Sequence, residues 1–268
     1  TTLLAFEDPI DLSADLQKFW EIEEPALSKV EDPEDLACED HFSSTHSRLE
    51  DGSYSVCLPF KSSPPDISNI SLVAHRRFQN LEEKLRKQPN LREQYHDFMK
   101  EYLDMGHMSL VDSVFPKYTI PHHSVVKEDR NQTKLRVVFD ASAKSQNGSL
   151  NDYLMTGPKL QKDIKDILLN FRSHAIVFVA DVVKMYRNIW LQPADQQYQC
   201  ILWRFSPTDA VDTYKLNTVT YGLSSSPYLL ALRVMKQLVL DEGADFPEAS
   251  AVLERDIYID DIVTGADS

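Results

Sequence analysis

Asp256-Ile257-Tyr258-Ile259-Asp260-Asp261-Ile262-Val263-Thr264 is the stretch on which the reading of this chain turns. β-Forming residues stand on both sides of two adjacent carboxylates. That pattern predicts a tight β-hairpin with acids at its tip. Neighbouring carboxylates repel each other, and a divalent cation relieves the repulsion. Taken alone, the stretch also suits an acidic surface hairpin with no ligand. A third acid in the right setting separates the two readings.

That acid lies 79 residues before Asp260. Ala175-Ile176-Val177-Phe178-Val179-Ala180 is a continuous apolar run of strand length, rich in β-branched residues, and it predicts a buried strand. Asp181 follows at its end, where a carboxylate is pushed out of the core toward a cleft. A strand-end Asp with an Asp-Asp hairpin is the acid set of two-metal phosphoryl transfer. Such acids hold two Mg²⁺ (or Mn²⁺) about 3.5–4 Å apart. One ion lowers the pKa of an attacking hydroxyl, and the other holds a triphosphate and stabilises the leaving oxygen.

The 268 residues suffice for one sizeable core or two adjoining ones, and the composition, 42% hydrophobic and 26% charged, is that of a globular protein. No apolar run reaches membrane-spanning length and no signal peptide opens the chain, so no membrane partner is expected. The net charge of −14 is unevenly spread: residues 1–60 carry 15 acidic and 3 basic side chains, residues 61–268 carry 27 and 25. Charge therefore neither supports nor excludes nucleic-acid binding. Cys38, Cys57 and Cys200 have neither metal-site spacing nor an even count, which points to a reducing compartment. The chain opens on Thr and runs only seven residues beyond Asp261, so it is expected to be a piece of something longer.

Residues 1–70 read as an acidic, partly irregular extension, loop-like at Glu31-Asp32-Pro33-Glu34-Asp35 and Ser62-Ser63-Pro64-Pro65-Asp66, with one strand within 52–60. Residues 72–105 predict two helices broken at Pro89-Asn90, with Leu72, Val73, Phe78, Leu81 and Leu85 on the first and Leu91, Tyr95, Phe98, Met99 and Tyr102 on the second. Residues 118–127 and 134–140 predict two strands of a hairpin turning at Glu128–Thr133. A helix is expected from about Leu160 to Phe171, strands at 198–205 and 211–216, a long helix from Ser226-Pro227 to Leu240, and a short helix near 248–254.

Four further features bear on chemistry. Tyr186 stands one turn past Asp181, where an aromatic ring would collide with a ribose 2′-OH and accept deoxyribose; by itself it is a packed turn residue. Lys127 and Arg136 lie on the two strands of one hairpin, with the turn between them, as two cations able to fold over a triphosphate; singly, they are solvated strand charges. Gly222, in Tyr221-Gly222-Leu223-Ser224-Ser225-Ser226-Pro227, lets backbone approach a ligand, and the serines cap a helix. His122 and His123 are strand neighbours on opposite faces, so structural roles are expected for them.

These blocks, in this order, resemble a reverse transcriptase, and their local wording resembles the BEL/Pao class of LTR retrotransposons. The residues that carry the likeness are Ile120-Pro121-His122-His123 through Lys127, Leu135-Arg136-Val137-Val138-Phe139-Asp140-Ala141-Ser142-Ala143, Ser149-Leu150-Asn151-Asp152, Gly157-Pro158, Ala180-Asp181 through Tyr186-Arg187, Thr218-Val219-Thr220-Tyr221-Gly222-Leu223 and Tyr258-Ile259-Asp260-Asp261. The likeness covers about residues 15–268 and is densest over 118–268.

The resemblance implies an α+β fold, the fingers and palm of a right-hand polymerase, with an antiparallel palm sheet packed by helices and the thumb absent. Fingers would span 71–174. The palm would span 175–268, with remaining fingers strands interleaved at about 192–212. It implies RNA-directed DNA polymerase activity, with Asp181, Asp260 and Asp261 as catalytic carboxylates and Val182 offering its backbone carbonyl to a metal. Lys127 and Arg136 would contact the triphosphate, Tyr186 would be the sugar gate, and Gly222 would lie by the template–nucleotide pair. It implies primed RNA or DNA template and dNTPs as partners, with downstream thumb, ribonuclease H and integrase regions of a polyprotein. Its setting would be intracellular, in a cytoplasmic virus-like particle. Tyr221 departs from the Gln that retroviral enzymes place there. Two other readings stay open: an RNA-dependent RNA polymerase, against which Tyr186 speaks, and a truncated or host-adopted relic that binds nucleic acid or a partner without catalysis.

Overall fold

A computed structural model describes residues 32–63, 67–111, 116–129, 132–226 and 231–267. The apolar positions within 1–31, Pro64–Asp66 and the expected helix start at Pro227 lie outside them. Residues from Pro33 onward form one compact unit. The fold is mixed α+β: among the described residues, six α-helices, three three-stranded sheets and one hairpin, antiparallel except where Tyr54–Val56 pairs with Ile189–Leu191.

The first element, α1 (Pro33–Thr45), falls where a loop was expected. Pro33 sits at the first helical turn, where its missing N–H costs nothing, and Glu34 and Asp35 lie at the positive end of the helix dipole. The acids that suggested a loop are helix-start residues. Cys38 and Phe42 of α1 are buried. Strands β1 (Ser47–Arg48) and β2 (Tyr54–Val56) follow, β2 fully buried. The acidic N-terminal segment therefore contributes to the main core from Pro33 on.

Helices α2 (Ser71–Lys87) and α3 (Pro89–Asp104) meet at Gln88. Pro89 opens α3 rather than merely ending α2. Ala74, Phe78, Leu81 and Leu85 form the buried stripe of α2, and Leu91, Tyr95, Met99 and Tyr102 that of α3. Leu72 and Val73, expected on that stripe, are exposed in the first turn. Strand β3 (Met108–Leu110) comes next. The hairpin strands are β4 (His122–Asp129) and β5 (Gln132–Phe139). Pairing starts at His122 because Pro121 has no amide hydrogen to give, and it continues to Asp129↔Gln132, into the expected turn.

Helix α4 (Ile164–Ser173) starts later than expected, because the Asp163 carboxylate accepts the Lys165 N–H and fixes the cap. Strand β6 (Ile176–Asp181) forms where the apolar run predicts it, yet it is exposed along its whole length. Strands β7 (Ile189–Leu191), β8 (Cys200–Trp203) and β9 (Asp212–Leu216), and helices α5 (Ala231–Glu242) and α6 (Pro247–Asp256), lead to the final hairpin, β10 (Ile257–Tyr258) and β11 (Asp261–Ala266).

The core centres on an aromatic group. Tyr95 stacks on Trp203 at 5.3 Å, and Phe78, His122 and Phe205 surround that pair. No residue of β6, β10 or β11 belongs to this core. Those three strands form their own sheet, in the order β10-β11-β6, with α4 and α6 packed against β11.

Candidate metal centre

Backbone pairing assembles the acids. Tyr258 pairs with Asp261 and closes a two-residue turn made by Ile259 and Asp260. On the other side of β11, Asp261 stands directly opposite Asp181 of β6. The Val182 N–H donates to the Asp260 carbonyl at 2.7 Å, which stitches the turn to the end of β6. One carboxylate oxygen from each of Asp181, Asp260 and Asp261 can be chosen so that all three lie within 4.8 Å of one another. Oxygens bound to one Mg²⁺ at 2.0–2.1 Å lie within about 4.2 Å of each other, so small side-chain rotations close the set around an ion. Three oxygen donors beside solvent suit a hard divalent cation. The Val182 carbonyl, expected as a further ligand, accepts the Met185 N–H at 3.2 Å and keeps its second lone pair.

The segment after Asp181 is tied to α3 by charge. Lys184 has a left-handed backbone, φ +54°. Its ammonium is paired with Glu101. The same carboxylate accepts from Arg187 at 3.1 Å. Arg187 is buried, lies 4.2 Å over the Tyr102 ring and donates through Nε to His107 Nδ1 at 3.0 Å. Lys184, chiefly by its hydrogen bond, then Arg187 hold the Glu101 carboxyl below its ordinary range. Burial, then the Arg187 charge, lowers the His107 pKa and keeps the ring neutral to accept that bond. This network was not foreseen from sequence, because it joins residues 80 or more positions apart.

Tyr186 lies in the short 3-10 turn Met185–Asn188, with its ring edge-on to Tyr221 at 5.2 Å. Burial first, then the Asp260 charge, raises the Tyr186 pKa, so the phenol stays protonated beside the acids. Tyr221 also feels Asp260, and Arg136 acts on it in the opposite sense, so one electrostatic neighbourhood holds Tyr186, Tyr221, Asp260 and Arg136. Arg136 is exposed on β5 opposite Val125. Lys127 pairs in backbone register with Lys134; its side chain lies outside the description.

Gly222 has φ +93°, and a Cβ there would lie 1.9 Å from the Phe139 carbonyl oxygen. What its backbone approaches is the end of β5. Any side chain would push the turn off that strand. Asn151 holds the turn from outside: its amide donates to the Gly222 carbonyl at 2.9 Å and its oxygen accepts the Ser224 N–H at 2.9 Å. The helix start that the serines were expected to cap lies outside the described residues; Ser226 Oγ donates to the Thr220 carbonyl at 2.8 Å.

His122 and His123 take the structural roles expected. His122 is fully packed, accepting from the Tyr95 hydroxyl and donating to the Leu202 carbonyl at 2.9 Å, and His123 is exposed. Among the described residues, no helix is long and apolar enough to cross a membrane. No protein-family model matches the chain, and no curated protein sequence matches it.

Proposed function

We propose that this chain carries the nucleotidyl-transfer centre of an RNA-directed DNA polymerase, the fingers and palm of a reverse transcriptase of the BEL/Pao retrotransposon class. The observation that carries the reading is the direct register of Asp181 with Asp261, with Asp260 beside them, three carboxylates gathered from two distant parts of the chain. Divalent cations, when bound there, supply the charge that activates a primer hydroxyl and stabilises the leaving pyrophosphate.

The chain's own residues take the other roles. Asp181, Asp260 and Asp261 hold the ions. Arg136, with Lys127 of the same hairpin, receives the triphosphate, Arg as a planar fork. The Tyr186 ring, buttressed by Tyr221, closes the space that a ribose 2′-OH would need. Gly222 keeps the turn that bears Tyr221 flat against β5, beside the templating pair. The Glu101–Lys184–Arg187 network keeps the Asp181–Tyr186 segment in place while ions and nucleotide come and go. The partners of this reading are a primed RNA or DNA template and dNTPs.

Primer extension in a chain continued downstream through a thumb tests it. Extension with dNTPs and Mg²⁺ or Mn²⁺ is expected, lost in Asp260→Asn, and opened to ribonucleotides in Tyr186→Ala. Extension undiminished in Asp260→Asn overturns the proposal, and so does a wild-type chain that extends no primer.

A further inference from the structure

The turn that presents the acids is strained. Ile259 has φ +58° while Asp260 does not share the positive sign. Positive φ at the first central residue alone is the pattern of a type II′ turn, where glycine is the usual occupant. A β-branched residue in that region is an outlier. Such a conformation persists only where its surroundings enforce it.

Besides the Val182 N–H bond to the Asp260 carbonyl, two groups of side-chain contacts enforce it. At the base of the hairpin, Asp256 is fully buried and accepts from Asn170 at 2.7 Å, from Thr264 and from the Arg255 guanidinium. That network ties the start of β10 to α4 and β11, but it lies three residues from the turn. At the turn itself, among the described residues, one side chain bonds the backbone. Gln161, at a bend just before the Asp163 cap of α4, spans the residue before the strained position. Its amide nitrogen donates to the Ile257 carbonyl at 3.0 Å, and its oxygen accepts the Ile259 N–H at 2.8 Å. These two backbone groups flank Tyr258. The primary amide is the one neutral side-chain group with a donor and an acceptor side by side at this spacing, and Gln has the reach.

We infer that Gln161 is a positioning residue for the metal centre: its amide splints the Ile257–Ile259 backbone and so holds the strained turn that places Asp260 and Asp261 against Asp181. The splint also explains why the expected helix at 160 starts late. Were residues 160–163 wound into α4, Gln161 would belong to the helix instead of lying along the hairpin. The inference rests on the divalent-ion part of the proposed function and on no other part of it.

Mn²⁺ binding by the full chain, followed by the electron paramagnetic resonance of free Mn²⁺, tests it without any need for catalysis. Gln161→Met keeps the side-chain volume and removes both hydrogen bonds, and it is expected to weaken Mn²⁺ binding about tenfold, as loss of an outer-shell partner does. Ile259→Gly takes up the positive φ without strain. In that background Gln161→Met is expected to cost less than about twofold, the non-additivity that marks two residues acting through one turn. Wild-type chain that binds no Mn²⁺, or Asp261→Asn that binds as wild type does, overturns the metal centre and the splint with it. Binding by wild type that Gln161→Met leaves unchanged overturns the splint alone. An equal tenfold loss in both backgrounds also overturns it, because the effect would then not pass through Ile259. Should Gln161→Met fail to fold, recovery of folding and of Mn²⁺ binding in the Ile259→Gly double variant supports the inference, and failure there too overturns it.

Discussion

Strands β8 and β6 are two apolar runs with opposite fates. Cys200-Ile201-Leu202-Trp203 lies wholly inside, no residue more than 5% exposed, whereas Ile176, Phe178 and Val179 are 58%, 55% and 60% exposed. The difference is in what covers them. Helix α2 packs on β8, and Trp203 is enclosed by Phe78, Tyr95, His122 and Phe205. Among the described residues, strand β6 has β11 as its one paired neighbour, and the helices beside it pack on β11. An apolar run therefore states a capacity for burial; the elements folded over it decide whether the capacity is used. The two regions divide the labour of the molecule: the β8 region holds the fold together, and the β6 sheet displays the acids.

Truncating Trp203 strikes that division hardest. Trp203→Ala empties the middle of the aromatic group and is expected to cost about 3–5 kcal/mol in denaturant unfolding. A cost below about 1 kcal/mol would mean that the β8 region is not the stabilising half.

Acid sharpens the comparison next. Burial lowers the pKa of His122, which bonds to the Leu202 carbonyl of β8, from 6.5 to about 4. The unfolded imidazole takes up its proton first as pH falls, so stability is present above 6.5 and is lost on the way to 4. A shift of that size removes about 3 kcal/mol over the window. Unfolding free energies measured at both ends, for wild type and for His122→Asn, check this. The variant is less stable at neutral pH and lacks that part of the slope.

The smallest effect belongs to β6. Phe178→Thr removes an exposed ring from a strand and puts a β-branched residue of good strand propensity in its place, so stability is expected to change by about 0.5 kcal/mol or less. Light scattering should fall as well, because an uncharged apolar edge strand invites pairing between molecules. A loss of several kcal/mol would place β6 with β8 after all.

Much of the acid site was legible. The run before Asp181 and the Asp-Asp stretch are local patterns, whereas the β6–β11 pairing that brings them into register joins residues 80 positions apart. The α3 stripe was legible for the same reason, through its periodicity. The α1 helix was not, because Pro33, Glu34 and Asp35 serve a helix start as well as a loop. The Glu101 network, the Tyr186–Tyr221 contact and the Gln161 splint were not legible either. Each joins residues between about 35 and 100 positions apart, and no spacing rule links such pairs.

What the amino-acid sequence determined by itself is the set of elements and the chemistry at their ends: alternation, helical periodicity, caps, and carboxylates where strands stop. Those follow from forces acting within a few residues. Only the tertiary structure decided which apolar run is buried, what Gly222 makes room for, and what holds Ile259 at a backbone angle it would not adopt alone. Burial, close approach and sustained strain depend on groups brought together from distant parts of the chain.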